Sequence, residues 1–311
     1  MNISKAKLKQ KEVSDLTLEL EEIYWVPLLH TPFEGLNEIQ RAAEGDCPEL
    51  CQPFASFNAN MHAAKELLEF PYFLLLPHLP IVRSHIKSTP SLFNDVDTPS
   101  GSPDRDERAA ELVALTLSAS KDPLLRHKNH LQRIMHQACI LIWSALETFS
   151  KEVFIAALNQ KPSLYTAISK NQELKERFSI ANNSWSNILQ SHEFTLQGKL
   201  GTIVAANRDF SSPQVLTTIF PIMFAELGGM GFLNSDEYNK VLWKLGQQRH
   251  LIAHRCSVVD QDYLDKTKDK EQKAGELLRL RGHDLARAMS AAAQFAVMLY
   301  ANARHCWSRP D

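Results

Sequence analysis

Residues 122–159 read DPLLRHKNHLQRIMHQACILIWSALETFSKEVFIAALN. Within them Leu131, Met135, Ala138, Ile142, Ala145, Phe149 and Val153 recur at steps of four and three, the spacing that stacks side chains on one face of an α-helix. Asp122 followed by Pro123 is a helix start. A short carboxylate accepts from the first turn's free amides, and proline at the first position removes no donor the helix would use. The stretch therefore predicts one long helix to about Asn159, with one face in a core or against other helices. Residues 284–306 repeat the pattern through Leu285, Met289, Ala292, Ala296 and Leu299, and Ser235, Asp236 and Glu237 open a third helix to about Cys256. Such stretches, with only 11 glycines in 311 residues, predict an all-α fold and argue against a sandwich or barrel.

The rest of the chain is less regular. Residues 1–103 read as a separate, mostly helical N-terminal region of unassigned role. Ser14–Trp25 and Asn58–Phe70 are its candidate helices, PLLHTPFEGL and GDCPELCQPF its loops, and Pro71, Pro77 and Pro80 its breakers. STPSLFNDVDTPSGSPD, residues 88–104, is the clearest linker. A helix after Pro103 to about Ser120 opens the second domain, 104–311. There, 161–234 is an irregular helical segment with short helices near Ser163–Lys170 and Pro213–Leu227 and a loop at 228–231. The polar run QDYLDKTKDKEQKAG reads as a solvated loop or frayed helix.

Charge narrows the function classes. With 34 basic and 36 acidic residues the formal charge is −2, so no global field draws nucleic acid, and binding would need a local basic patch or a brief encounter. The cysteines, Cys47, Cys51, Cys139, Cys256 and Cys306, are odd in number and scattered, unlike a disulfide framework. No secretory signal or membrane span is expected; FPYFLLLPHLPIV is short and holds three prolines. The expected location is the cytoplasm.

The chemistry concentrates in RHLIAH, residues 249–254. On the helix predicted from Ser235, the apolar stripe is Tyr238, Leu242, Leu245, then Arg249, then Ile252 and Cys256. A guanidinium stays charged in proteins. On a core-facing stripe it must be paired, or point into a cleft or across an interface. Trp243, Gln247, His250 and His254 form the flanking stripe. His250 and His254 are one turn apart, roughly 40° around the helix, whereas Arg249 and His254 are about 140° apart. Arg249 and His254 therefore meet at one ligand only if the arginine curls or a second copy of the helix pairs with the first. The residues alone leave two readings: Arg249 as a structural cation paired with an acid such as Glu147, or Arg249 and His254 as a site.

Arg249-His250-Leu251-Ile252-Ala253-His254 resembles the Arg-x4-His signature of the HEPN superfamily (higher eukaryotes and prokaryotes nucleotide-binding domains), in which a polar residue commonly follows the arginine, as His250 does. LIWSALETFSKEVF is similar to the family's long early helix. RHLIAHRCSVVDQDYL with GELLRLRGHDLARAMSAAAQFAVML is similar to its closing motif-loop-helix arrangement. The resemblance covers about 122–160 and 235–306, leaves 161–234 as an elaboration, and implies a HEPN-like helical bundle. It also implies metal-independent cleavage of RNA by attack of a ribose 2′-hydroxyl on its neighbouring phosphate. His254 would be general base or acid, Arg249 the phosphate stabiliser and His250 an orienting polar group, with Glu147, Gln247 and Trp243 in support. The partners it implies are RNA, a second copy in a homodimer, and a regulatory or antitoxin protein; the role it implies is that of a toxin or defence effector. The alternative is a non-catalytic helical interaction or regulatory module.

Other signals are weaker. His250 and His254 have the i, i+4 spacing of zinc ligands, but Leu251 stands where a zinc protease has its glutamate and no third ligand is evident. Gln197-Gly198-Lys199 lacks the upstream glycine of a phosphate loop. His283-Asp284 lacks the further partners of a metal phosphohydrolase, which leaves Asp284 as the expected cap of the last helix. No metal or cofactor is expected.

Overall fold

The computed structural model describes residues 36–42, 47–75, 123–180, 185–193, 195–225 and 236–307. Among them the structure is mostly helical and contains no strand beyond an isolated antiparallel bridge between Val258 and Leu277. After helical residues 36–42 come α1 (Pro48–Leu75), α2 (Pro123–Gln160), a 3-10 turn (Pro162–Leu164), α3 (Tyr165–Lys170), α4 (Gln172–Phe178), α5 (Trp185–Ser191), α6 (Leu200–Ala205), α7 (Pro213–Met223), α8 (Asp236–His254), α9 (Gln261–Thr267) and α10 (Gly282–Trp307). The linker at 88–104, Ser14–Trp25, the helix expected after Pro103 and the loop at 228–231 lie outside the described residues.

α2 has the bounds and the face its periodicity predicts: all seven residues of the stripe are buried. The five apolar residues of α10 are buried as well. α1 differs from expectation. It begins at Pro48 within the stretch read as a loop, and it continues through Pro71. Pro48 takes the first helical position, where its missing N–H costs nothing. Pro71 falls in the last turn and a half, where few helical bonds remain to be lost. The last helix starts at Gly282, so Asp284 sits inside its first turn and does not cap it; the carboxylate still complements the helix dipole there.

The chain forms two compact units. Among the described residues, the first gathers 65–75, 123–138 and Arg279–Leu285. There the Gln132 amide clasps one peptide unit, donating to the Leu280 carbonyl at 2.9 Å and accepting from the Leu280 N–H at 2.8 Å. Leu68, Leu131, Met135 and Leu285 are buried in it.

Among the described residues, the second unit gathers 36–42, 47–64, those between Cys139 and Leu278, and 286–307. Aromatic clusters build its core. Phe54 packs edge-on against Phe149 and Tyr300. Phe154, Phe178 and Phe210 form a second cluster, and Phe220, Phe224 and Phe295 a third. Each buried phenyl contributes on the order of 2 kcal/mol by leaving water. Close approach at two glycines fixes the helices. A Cβ on Gly201 would lie 2.1 Å from the Ile155 carbonyl oxygen of α2, and Asn159, one turn further along α2, accepts the Gly201 N–H at 2.8 Å to cap α6. A Cβ on Gly246 would lie 2.2 Å from Pro213 Cγ, with the Trp143 ring at 3.1 Å. α8 is thus set against the start of α7 and against α2 one turn before Arg249.

Candidate functional site

α8 places every residue of the predicted motif. Its buried face is not the predicted stripe. Leu242 and Leu245 are buried, but the seam continues through Gln248 and Leu251, while Ile252 is half-buried and Cys256 exposed. The helix ends at His254, two residues earlier than expected. The Arg255 and Ser257 N–H groups both return to the Leu251 carbonyl, with Cys256 at φ 52° and Ser257 at φ 62°. The Ser257 bond closes a loop one residue wider than that of a Schellman end. Two consecutive non-glycine residues in the left-handed region cost about 1 kcal/mol or more each.

Gln248 can be buried because the following segment satisfies it. The first half of the polar run predicted as loop or frayed helix is α9, capped by Asp260, whose carboxylate accepts the Tyr263 N–H at 2.8 Å, and residues 268–275 are the loop that was expected. Tyr263 is buried, hydrogen-bonded to Gln248 and donating to Asp269 Oδ2 at 3.2 Å. Burial, with Asp269 beside it, pushes its hydroxyl far above the usual tyrosine range. Lys244 Nζ meets the same Asp269 oxygen at 2.9 Å, and the Trp243 indole donates to the Lys266 carbonyl at 3.4 Å. The mixed polar composition of QDYLDKTKDKEQKAG hid these bonds, since one buried tyrosine and one buried aspartate leave no periodic trace. Trp243 therefore fastens α9 to α8, and Gln247 stays half-buried.

Arg249 sits at the edge of the buried seam, its side chain 23% exposed, with Nη2 3.8 Å from Oε2 of Glu147, itself 27% exposed. That is an ion contact beyond hydrogen-bond length. Glu147 is held above the usual carboxylate range, mainly by burial; Arg249 and Lys151 pull against the rise and Asp209 adds to it. Asp209, missed in the sequence, lies in the loop before α7. Partial burial pushes its carboxyl up, but hydrogen bonding to Ser211, then Arg249 and Arg177, outweigh that and hold it below the usual range. Its one legible signal was the turn chemistry of Asp209-Phe210-Ser211-Ser212-Pro213, which says nothing about what the carboxylate faces. Beneath lies Cys139, fully buried, its thiol pushed up to about 12 by burial against the pull of Arg249.

The histidines occupy another side of α8. His250 and His254 are exposed, their ring centroids 5.0 Å apart and tilted by 49°. Partial burial, then His254, Arg255 and Lys266, hold His250 below the usual histidine range, with Asp260 opposing. A ring so placed is neutral near pH 7 and can accept a proton. The structure therefore joins Arg249 to Glu147 and His250 to His254, as two groups on one helix end.

A family model described as RiboL-PSP-HEPN matches residues 104–279. The chain belongs to the HEPN superfamily. The matched span runs through the irregular segment 161–234 and through the Arg-x4-His helix, and stops just before α10. HEPN domains are all-α, bind RNA, often dimerise and are often ribonucleases. No curated protein and no solved structure matches the chain significantly. No helix among the described residues is long and apolar enough to cross a membrane.

Proposed function

We propose that this HEPN protein is a metal-independent endoribonuclease, acting as a homodimer in the cytoplasm as a toxin or defence effector. The observation that carries the reading is the chemistry at the end of α8: a permanently charged, quarter-exposed guanidinium one residue from an exposed histidine held neutral beside a second histidine.

Cleavage of a phosphodiester by its own 2′-hydroxyl needs three things: a base for the hydroxyl proton, a cation for the charge that grows on the phosphate oxygens, and an acid for the 5′ leaving oxygen. His250 is the group suited to take the proton, and His254 then supplies one to the leaving oxygen. The 2′-oxygen bonds to phosphorus as the bond to the 5′-oxygen breaks, giving a 2′,3′-cyclic phosphate and a 5′-hydroxyl. Arg249 clamps the non-bridging oxygens. This assignment moves His250 from an orienting role to that of base, because its surroundings favour the neutral ring. The angular gap between Arg249 and the histidines is bridged by a second protomer, whose own α8 supplies the missing side.

The second reading, a non-catalytic interaction module, is favoured by the Arg249–Glu147 pair, since an arginine can be retained simply to neutralise a partly buried glutamate. Expression in a bacterium separates the two. Under the ribonuclease reading the wild-type chain slows growth and degrades RNA while His254→Ala does neither; equal growth and intact RNA in both would sink it.

A further inference from the structure

Five charged side chains of the second unit alternate in sign around Arg249. Lys151 acts on Glu147, Glu147 contacts Arg249, Asp209 lies within electrostatic reach of both, and Arg177 acts on Asp209. They come from α2, α4, α8 and the loop before α7. A guanidinium carries five N–H donors in a planar fork that matches a carboxylate or a phosphate at two points. Arg249 does not use them that way. Its closest charged contact among the described residues is the single 3.8 Å approach to Glu147, too long for a hydrogen bond and not two-pronged. The side chain is about three-quarters buried, so its donors are partly shielded from water while still lacking a tight partner. Asp209 acts on it at electrostatic range only, with its Oδ1 held by the Ser211 N–H at 2.7 Å.

We infer that Glu147 and Asp209 hold Arg249 as loose stand-ins for a phosphate, so that the free protein carries a pre-built phosphate subsite which its own carboxylates restrain. The inference rests on the ribonuclease reading for its substrate, a phosphodiester, but the subsite itself would take any phosphate monoanion of fitting size. Two carboxylates beside the fork do two things. They keep a partly buried cation compensated when nothing is bound, and they repel an arriving phosphate, which must outbid them. Removing one negative charge while keeping its shape lowers that repulsion and leaves the donors in place. The restraint therefore weakens binding, and a carboxylate needed to build the subsite would do the opposite.

The test uses the full chain, with Glu147→Gln and Asp209→Asn as single variants and Glu147→Gln combined with Arg249→Ala as the control, since Arg249→Ala alone would strand Glu147 without its counter-charge. Inorganic phosphate is titrated while the arginine side-chain N–H resonances are followed by NMR, and a 2′-O-methyl oligonucleotide, which cannot be cleaved, is titrated in parallel. Each single variant is expected to bind phosphate several-fold to about ten-fold more tightly than wild type, the scale of one removed like-charge contact. The double variant is expected to lose the gain. Unchanged or weaker phosphate binding in both single variants overturns the inference, as does a gain that survives loss of Arg249. Tighter phosphate binding with no oligonucleotide binding would keep the subsite and reject the ribonuclease reading; RNA cleavage without the phosphate gain would do the reverse.

Discussion

Two sides of the last turns of α8 carry basic groups in opposite surroundings. Arg249 sits three-quarters buried between carboxylates and above a buried thiol, and keeps its charge because a guanidinium has no accessible neutral form. His250 stands exposed among His254, Arg255 and Lys266, and is pushed toward its neutral form. One side thus offers a fixed cation and the other a proton acceptor, the two functions that phosphodiester cleavage by an internal hydroxyl needs from different groups. The difference comes from the two side chains and their neighbours and not from the helix: a guanidinium stays charged anywhere, and the groups around His250 hold its imidazole toward the neutral form.

Removing one of the two functions outright has the largest expected effect. His254→Ala and His250→Ala are each expected to lower the cleavage rate about 10²- to 10⁴-fold, the range for a lost general acid or base. Arg249→Lys keeps the charge but loses the fork and is expected to fall less far. Rates measured at saturating RNA check the order, and near-wild-type activity in either histidine variant would remove that residue from the mechanism.

A smaller effect is expected at Gly246. A methyl there must push on Pro213 and on the Trp143 ring, so Gly246→Ala is expected to cost about 1–3 kcal/mol of stability, read by chemical denaturation. Because the push acts one turn before Arg249, activity at a temperature where the variant is fully folded should also drop. Unchanged stability would mean that α8 is not seated where the close contact places it.

The smallest effect sharpens the histidine side. A histidine acting as base works in its neutral form, so the rate rises with pH through its pKa. His250 lies below the ordinary value of 6.5, so that rise should be complete before an ordinary histidine would have titrated. Arg255→Gln removes one of the cations that lower it and should move the rise to higher pH. A pH–rate profile of the two proteins decides this, and an unmoved limb would mean that another group is the base.

The sequence made the long elements legible for a physical reason: α2 and α10 bury one face over many turns, so apolar spacing accumulates into a signal. α8 was legible in part. Leu242 and Leu245 marked its inner face, but the seam then passed to Gln248, a polar residue buried because Tyr263 meets it, and no periodicity rule anticipates that. α9 was hidden for the same reason, since its anchor is a network of Lys244, Asp269 and Tyr263 and not an apolar stripe. At the site, Arg249 stood out as a fixed charge on an apolar face, and its pairing with Glu147 was one of the two readings the residues allowed. Asp209 could not be found, because it reaches Arg249 through tertiary packing across some forty residues of intervening chain.

If the two sides of α8 act on one phosphodiester without metal, the ends of the cleaved RNA record it. Purified wild-type protein is incubated with RNA in excess chelator, and the new termini are identified by mass spectrometry beside those from Arg249→Lys and His254→Ala. The wild type is expected to leave 2′,3′-cyclic phosphate and 5′-hydroxyl termini, and both variants strongly reduced amounts of them. Intact RNA, cleavage that stops when metal is removed, or 5′-phosphate termini would contradict it.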